Sequence, residues 1–127
     1  MRHQQKHVLL VDDCEDVLFI HASLLKKLGY CVTAVTDGQQ ALNTFMDNRE
    51  LFSIIISDYQ MPKMDGVELI KSIRLYDKAI PILIISGRIE SFLAEDVSDT
   101  AVQVASKPLS LNLFTNLIDQ MLYKQGG

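Results

Sequence analysis

The chain has 127 residues, of which 48% are hydrophobic and 22% charged, an ordinary composition for one soluble domain around one core. Its net charge is −4, from 16 acidic and 12 basic residues with no Lys/Arg block, so direct binding to nucleic acid is not expected. No apolar run is long enough to span a bilayer and no secretory leader opens the chain, so no membrane contact is expected and the expected location is cytoplasmic.

Met1–His7 is polar and basic and reads as a short tail. Val8–Val11 is an apolar run that ends in Asp12 and Asp13. Glu15–Leu28 follows with helical spacing at Val17, Ile20, Leu24 and Leu28, and Gly29 stops it. Tyr30–Val35 alternates, with Cys31, Thr33 and Val35 on one side and Val32 and Ala34 on the other, as an edge strand does. Asp37-Gly38 turns the chain. Gln39–Met46 then reads as a second helix with Ala41, Leu42 and Phe45 facing in.

Phe52–Ser57 holds three consecutive isoleucines, the mark of a strand buried on both faces, and runs into Asp58. Asp65-Gly66 closes a loop and opens a third helix, Val67–Leu75. Ile80–Ile85 is another buried strand, ending at Ser86. Ser91–Val97 reads as a fourth helix, and Ala101–Ala105 as a fifth strand leading through Ser106 to Lys107. Ser110 can cap the last helix, Leu111–Tyr123, and Gly126-Gly127 is a frayed end or a linker stub. That helix has apolar residues at Leu111, Leu113, Phe114, Leu117, Ile118, Met121 and Leu122, wider than one core-facing stripe. It is either a deeply buried helix or one that offers a partner or dimer face.

Strands that alternate with helices imply a parallel sheet covered on both faces, with right-handed crossovers. The expected fold is α/β: a doubly wound, flavodoxin-like (βα)5 domain with strand order 2-1-3-4-5. Ligands in such a fold bind at the carboxyl ends of the strands, beside the switch between strands 1 and 3. Asp12, Asp13 and Asp58 belong to those two strand ends, and Ser86 and Lys107 to the next two.

Three carboxylates in one place repel one another, and a hard divalent cation such as Mg²⁺ relieves the repulsion while leaving room for a phosphate. Asp58 can then act as a ligand or as a nucleophile that forms an aspartyl phosphate. Catalysis of that step is mostly positioning and charge neutralisation. Lys107 supplies a positive point charge for phosphoryl oxygens, and Ser86 with the Gly87 N–H supplies donors. His3, His7 and His21 read as surface or satisfied residues. Cys14 and Cys31 read as free thiols in a reducing compartment.

Asp12-Asp13, Asp58 with Met61-Pro62-Lys63-Met64-Asp65-Gly66, Ser86 and Lys107-Pro108 together resemble the receiver domain of two-component response regulators. The resemblance runs from about His7 to Tyr123, so residues 1–127 are expected to form a single receiver domain with no output domain. It implies that Asp58 is the phosphoacceptor, charged by a histidine kinase or a phosphotransfer protein. It implies that Asp13, Asp58 and the backbone carbonyl of Gln60 bind Mg²⁺, with Asp12 acting mainly through water. It further implies that Ser86 and Lys107 read the phosphoryl group, that the Lys107-Pro108 bond is cis, and that the domain catalyses its own phosphorylation and dephosphorylation. A downstream partner or output domain then responds, and the fourth helix, fifth strand and last helix offer a dimer face.

The chain departs from the family pattern at several points. Ser86 replaces a commoner Thr, Gly87 a frequent Ala, and Thr100-Ala101 the usual Gly-Ala. The stretch from Ser86 to Lys107 is about one residue shorter than usual. Val104 stands where the family usually has Tyr or Phe, and a valine has no ring to rotate on activation. The resemblance implies that Gln60 and Arg88 flank the path of the hydrolytic water, and they are expected to tune phosphate lifetime. The alternative class is a pseudo-receiver that binds proteins without phosphorylation, favoured by Val104 and opposed by the complete acidic site. A haloacid-dehalogenase-type phosphatase needs a second Asp where Gln60 stands, and a flavin phosphate would be repelled by the carboxylates.

Overall fold

The computed structural model describes residues 6–87 and 101–124. Strands β1 (His7–Val11), β2 (Cys31–Val35), β3 (Ile54–Asp58), β4 (Ile82–Ser86) and β5 (Val102–Ser106) form one parallel sheet in the order β2-β1-β3-β4-β5. Between them run helices α1 (Glu15–Lys27), α2 (Gly38–Asp47) and α3 (Gly66–Arg74), and α4 (Leu111–Asp119) closes the chain with a π-helical turn at Gln120–Lys124. This is the doubly wound, flavodoxin-like order expected, with strand ends shifted by one or two residues. The helix expected at Ser91–Val97 lies outside the described residues, as does Arg88.

The period of two along each strand divides the core into two layers. Val8, Leu10, Ile54, Ile56, Leu83, Ile85 and Ala105 face one side, where Leu18, Ala22 and Leu25 of α1 and Phe114 and Ile118 of α4 cover them. Leu9, Val11, Ile55, Ile82 and Ile84 face the other, under Ala41 and Phe45 of α2 and Leu69, Ile70 and Ile73 of α3. Each fully buried Leu, Ile or Phe contributes roughly 1.5–3 kcal/mol. Every residue of β3 and β4 is buried, as the isoleucine-rich runs predicted.

The inward stripe of α1 differs from the one read from spacing. Val17, Ile20, Leu24 and Leu28 fit a helical period, yet Ile20 is 54% and Leu28 51% exposed, and the buried residues are Leu18, Ala22 and Leu25. The helix is apolar over more than one face, so several stripes satisfy the spacing. The connection from β1 through Cys14 decides which one meets the sheet.

Side-chain caps mark the starts of α2, α3 and α4, and a glycine marks the end of α1. Asp37 accepts from the Gln40 amide at 2.7 Å, and Ser110 from the Leu113 amide at 3.1 Å. Asp65 and Glu68 form a reciprocal capping box. Gly29, at φ 100°, ends α1 in the left-handed conformation. Its amide donates to Lys26 and the Tyr30 amide to Leu25, the bond pair of a Schellman motif. Leu111 and Leu113 of α4 are about half exposed (49% and 48%), while Phe114 and Ile118 are fully buried. The wide apolar surface of that helix thus divides into a core stripe and an open one.

Candidate functional site

Parallel register brings the acidic residues together. Val11 of β1 pairs with Ser57 of β3, so one step further along Asp12 stands beside Asp58. Carboxylate oxygens of Asp12, Asp13 and Asp58 lie within 4.8 Å of one another. Asp12 and Asp58 are buried (6% and 8% exposed), whereas Asp13 is exposed. Two buried carboxylates and one open to water suit a hard cation that keeps part of its hydration shell.

Local bonds fix these side chains. The Cys14 amide donates to Asp12 Oδ1 at 2.9 Å, and the Tyr59 amide donates to Asp58 Oδ1 at 3.0 Å. Lys107 Nζ lies 3.1 Å from the same Asp58 oxygen. Lys107 reaches this point from beyond the end of β5, where its amide donates to the Ser86 carbonyl at 2.8 Å and its bond to Pro108 is cis. Ser86 is buried at the end of β4.

Burial pushes the Asp58 carboxyl above its ordinary range, and the neighbouring Asp12 adds to that, while Lys107 and the Tyr59 amide pull the other way. The Asp12 carboxyl is also raised, by burial first and by Asp13 second, against the Cys14 amide and Lys107. Both carboxylates therefore ionise at a cost that a neighbouring positive charge relieves, as Lys107 does for Asp58.

The loop after Asp58 forms one wall of a groove of about 430 Å³ lined by Asp13, Tyr59, Gln60, Met61, Pro62 and Asp65. The Gln60 side chain is exposed. Met61 and Met64 pack partly buried against the α2/α3 layer, as loop-packing residues do. Val104 is half-buried in the same layer, paired in register with Ile84.

Sequence reasoning missed Ser57. It is fully buried, and its hydroxyl donates to the Asp58 carbonyl at 2.9 Å and meets Met61 Sδ at 3.8 Å, tying the strand end to the loop. A lone serine within an isoleucine strand was the available signal. His7 is satisfied by Thr33 Oγ1 at 3.0 Å, and His21 stacks on Phe114 at 4.5 Å.

A doubly wound parallel sheet with an acidic cluster and a lysine at its topological switch point defines an α/β domain whose candidate ligand site lies at the carboxyl ends of its strands. The family model described as response regulator receiver domain matches residues 8–119. The response regulator receiver protein CpdR of Brucella abortus is 34% identical over 119 residues, covering 92% of this chain and 97% of its own. The chain therefore belongs to the response regulator receiver domain family of two-component systems. The two-component response regulator ARR12 of Arabidopsis thaliana is 32% identical over 87% of this chain, which spans only 18% of that protein's length. Among solved structures, the receiver domain of the hybrid histidine kinase CckA is 31% identical with a TM-score of 0.79, covering 91% of this chain and 98% of that one.

Proposed function

We propose that this receiver domain is a phosphorylation-controlled switch in which Asp58 accepts a phosphoryl group from a histidine kinase or phosphotransfer protein. The observation that carries the reading is one carboxylate, Asp58, that shares an acidic cluster within 4.8 Å and pairs with a lysine at 3.1 Å. A nucleophile, a cation site and an anion-binding ammonium thus meet at one side chain. Asp12, Asp13, Asp58 and the Gln60 backbone carbonyl would hold Mg²⁺, with Asp12 acting mainly through water. Bound there, Mg²⁺ supplies charge neutralisation for the carboxylates and the phosphoryl oxygens.

The side chains perform the rest. An Asp58 carboxylate oxygen attacks phosphorus, the donor's P–N bond breaks, and an acyl phosphate forms on Asp58. Lys107 leaves the Asp58 carboxylate for the incoming phosphoryl oxygens, which carry more charge. The Ser86 hydroxyl and Gly87 amide donate to those oxygens. Transfer of Lys107 and Ser86 to the new group alters the ends of β4 and β5 and so the binding of a downstream partner or output domain. The half-exposed Leu111 and Leu113 support the α4–β5 side as that partner or dimer face. Gln60 and Arg88 tune phosphate lifetime by steering the hydrolytic water. No separate substrate is turned over. Cytoplasmic location accords with this role, and among the described residues no helix is long and apolar enough to cross a membrane.

Val104 favours a second reading, a phosphorylation-independent binding module. Acetyl phosphate with Mg²⁺, read by intact mass beside Asp58→Asn, separates the two. A single phosphoryl adduct that needs both Mg²⁺ and Asp58 supports the switch. No adduct from acetyl phosphate or from a phosphotransfer donor would leave the binding module.

A further inference from the structure

The loop that carries Gln60 is strung between two anchors. At one end the Gly66 amide donates to the Tyr59 carbonyl at 2.8 Å, which holds Tyr59 against the start of α3. At the other end, the Met64 amide donates to the Pro62 carbonyl at 2.8 Å, and Lys63 between them has φ 73°. That is a γ-turn with its central residue at positive φ, a conformation that a lysine adopts only when its surroundings impose it. Another element abuts the end of this turn. Gly38, the first residue of α2, lies so close that a Cβ there would stand 2.5 Å from the Met64 carbonyl oxygen, 2.9 Å from Met64 Cβ and 3.1 Å from its Cγ. The first of these is a backbone atom, so no side-chain rotation relieves the contact.

We propose that Gly38 is a positioning residue for the acidic site: by letting the start of α2 abut Met64, it holds the Gln60–Lys63 loop, and with it the Gln60 carbonyl, at the distance from Asp58 that a Mg²⁺ ion requires. The inference rests on the receiver reading, because it needs the cation site to be real. It extends that reading to a residue on a helix that contributes nothing to the acidic cluster itself. The Asp37 cap on the Gln40 amide fixes where α2 starts and so where the brace stands.

Mg²⁺ titration followed by amide NMR tests this on the full chain. Gly38→Ala is expected to weaken Mg²⁺ binding about tenfold, the size of effect seen when the support of a metal ligand is disturbed. Its amide shifts should run through Tyr59–Asp65. Adding Lys63→Gly, which frees the turn to adapt, is expected to restore about half of the lost affinity on a logarithmic scale; a general packing defect gives no such rescue. Equal affinity in wild type and Gly38→Ala, or no recovery in the double variant, overturns the inference alone. Absence of Mg²⁺ binding by the wild type sinks the receiver chemistry, and the inference with it. If Gly38→Ala alone does not fold, the Gly38→Ala/Lys63→Gly double variant is compared with Lys63→Gly: about threefold weaker Mg²⁺ binding in the double variant is expected, and equal affinity in the two overturns the brace.

Discussion

Lys107 Nζ and Asp58 Oδ1 are 3.1 Å apart, so under the proposed switch the ammonium faces both the Mg²⁺ that Asp58 would hold, as a like charge, and the phosphoryl group it would accept, as an opposite one. Lys107 therefore competes with one and cooperates with the other. Lys107→Ala is expected to bind Mg²⁺ more tightly, because one positive neighbour is gone, yet to accept phosphate from acetyl phosphate at least tenfold more slowly. The side chain is 40% exposed and water screens the pair, so the stability cost is about 1 kcal/mol or less. Parallel Mg²⁺ titration and intact-mass kinetics check this, and weaker Mg²⁺ binding in the variant contradicts the competition.

The buried carboxylates give a pH signature. Burial raises the folded values of Asp12 and Asp58 above the ordinary 3.8. The stability tied to these groups is then fully present below about pH 3.8 and is lost as pH rises through their folded values. Asp12→Asn keeps an oxygen for the Cys14 amide and removes the titration. Without Mg²⁺, the variant should gain on wild type in Tm as pH rises from 4 to 7. Mg²⁺ at a hundredfold excess over its Kd should return about 2.7 kcal/mol to wild type and little to the variant. A Tm difference that does not change with pH would show that Asp12 pays no desolvation cost.

Much of the site was legible because a strand that ends in a charged residue declares its own rim. The runs ending at Asp12, Asp58 and Ser86, and the approach to Lys107, needed only the alternation of strands and helices to be placed. What escaped depends on contacts between elements. Leu18, Ala22 and Leu25 were passed over because α1 carries Val17, Phe19, Ile20, Leu24 and Leu28 as well, and only the docked sheet chooses among stripes. Gly38 read as half of a turn, since its approach to Met64 is a tertiary fact. Nothing local announces the π-helical turn at Gln120–Lys124.

His21 gives a second pH dependence of opposite sign. It stacks on Phe114 between α1 and α4, and burial, helped by the charge of Lys107, lowers its folded value below the ordinary 6.5. Its neutral form is the folded one, so stability is intact above pH 6.5 and declines as pH falls below it. His21→Gln forfeits the stack and loses roughly 1 kcal/mol at pH 7.5. Between pH 7 and 5 its denaturation midpoint should fall less than that of wild type. Parallel curves for the two proteins would mean that His21 does not titrate in that range.

Under the proposed switch, Val104 limits the routes open to a phosphoryl signal. It pairs with Ile84 and packs half-buried against the α2/α3 layer, where a branched side chain with one χ1 has little lateral travel. Under the proposed switch, the signal is expected to leave through backbone shifts at the ends of β4 and β5, where the Lys107 amide holds the Ser86 carbonyl. Val104→Ala is accordingly expected to cost about 1 kcal/mol of stability and to leave the phosphorylation rate unchanged. The amide shift differences between phosphorylated and free forms should match those of wild type everywhere except next to residue 104. If the shifts at Leu111–Phe114 vanish in the variant while Asp58 is still modified, Val104 is itself part of the relay and the backbone route is wrong.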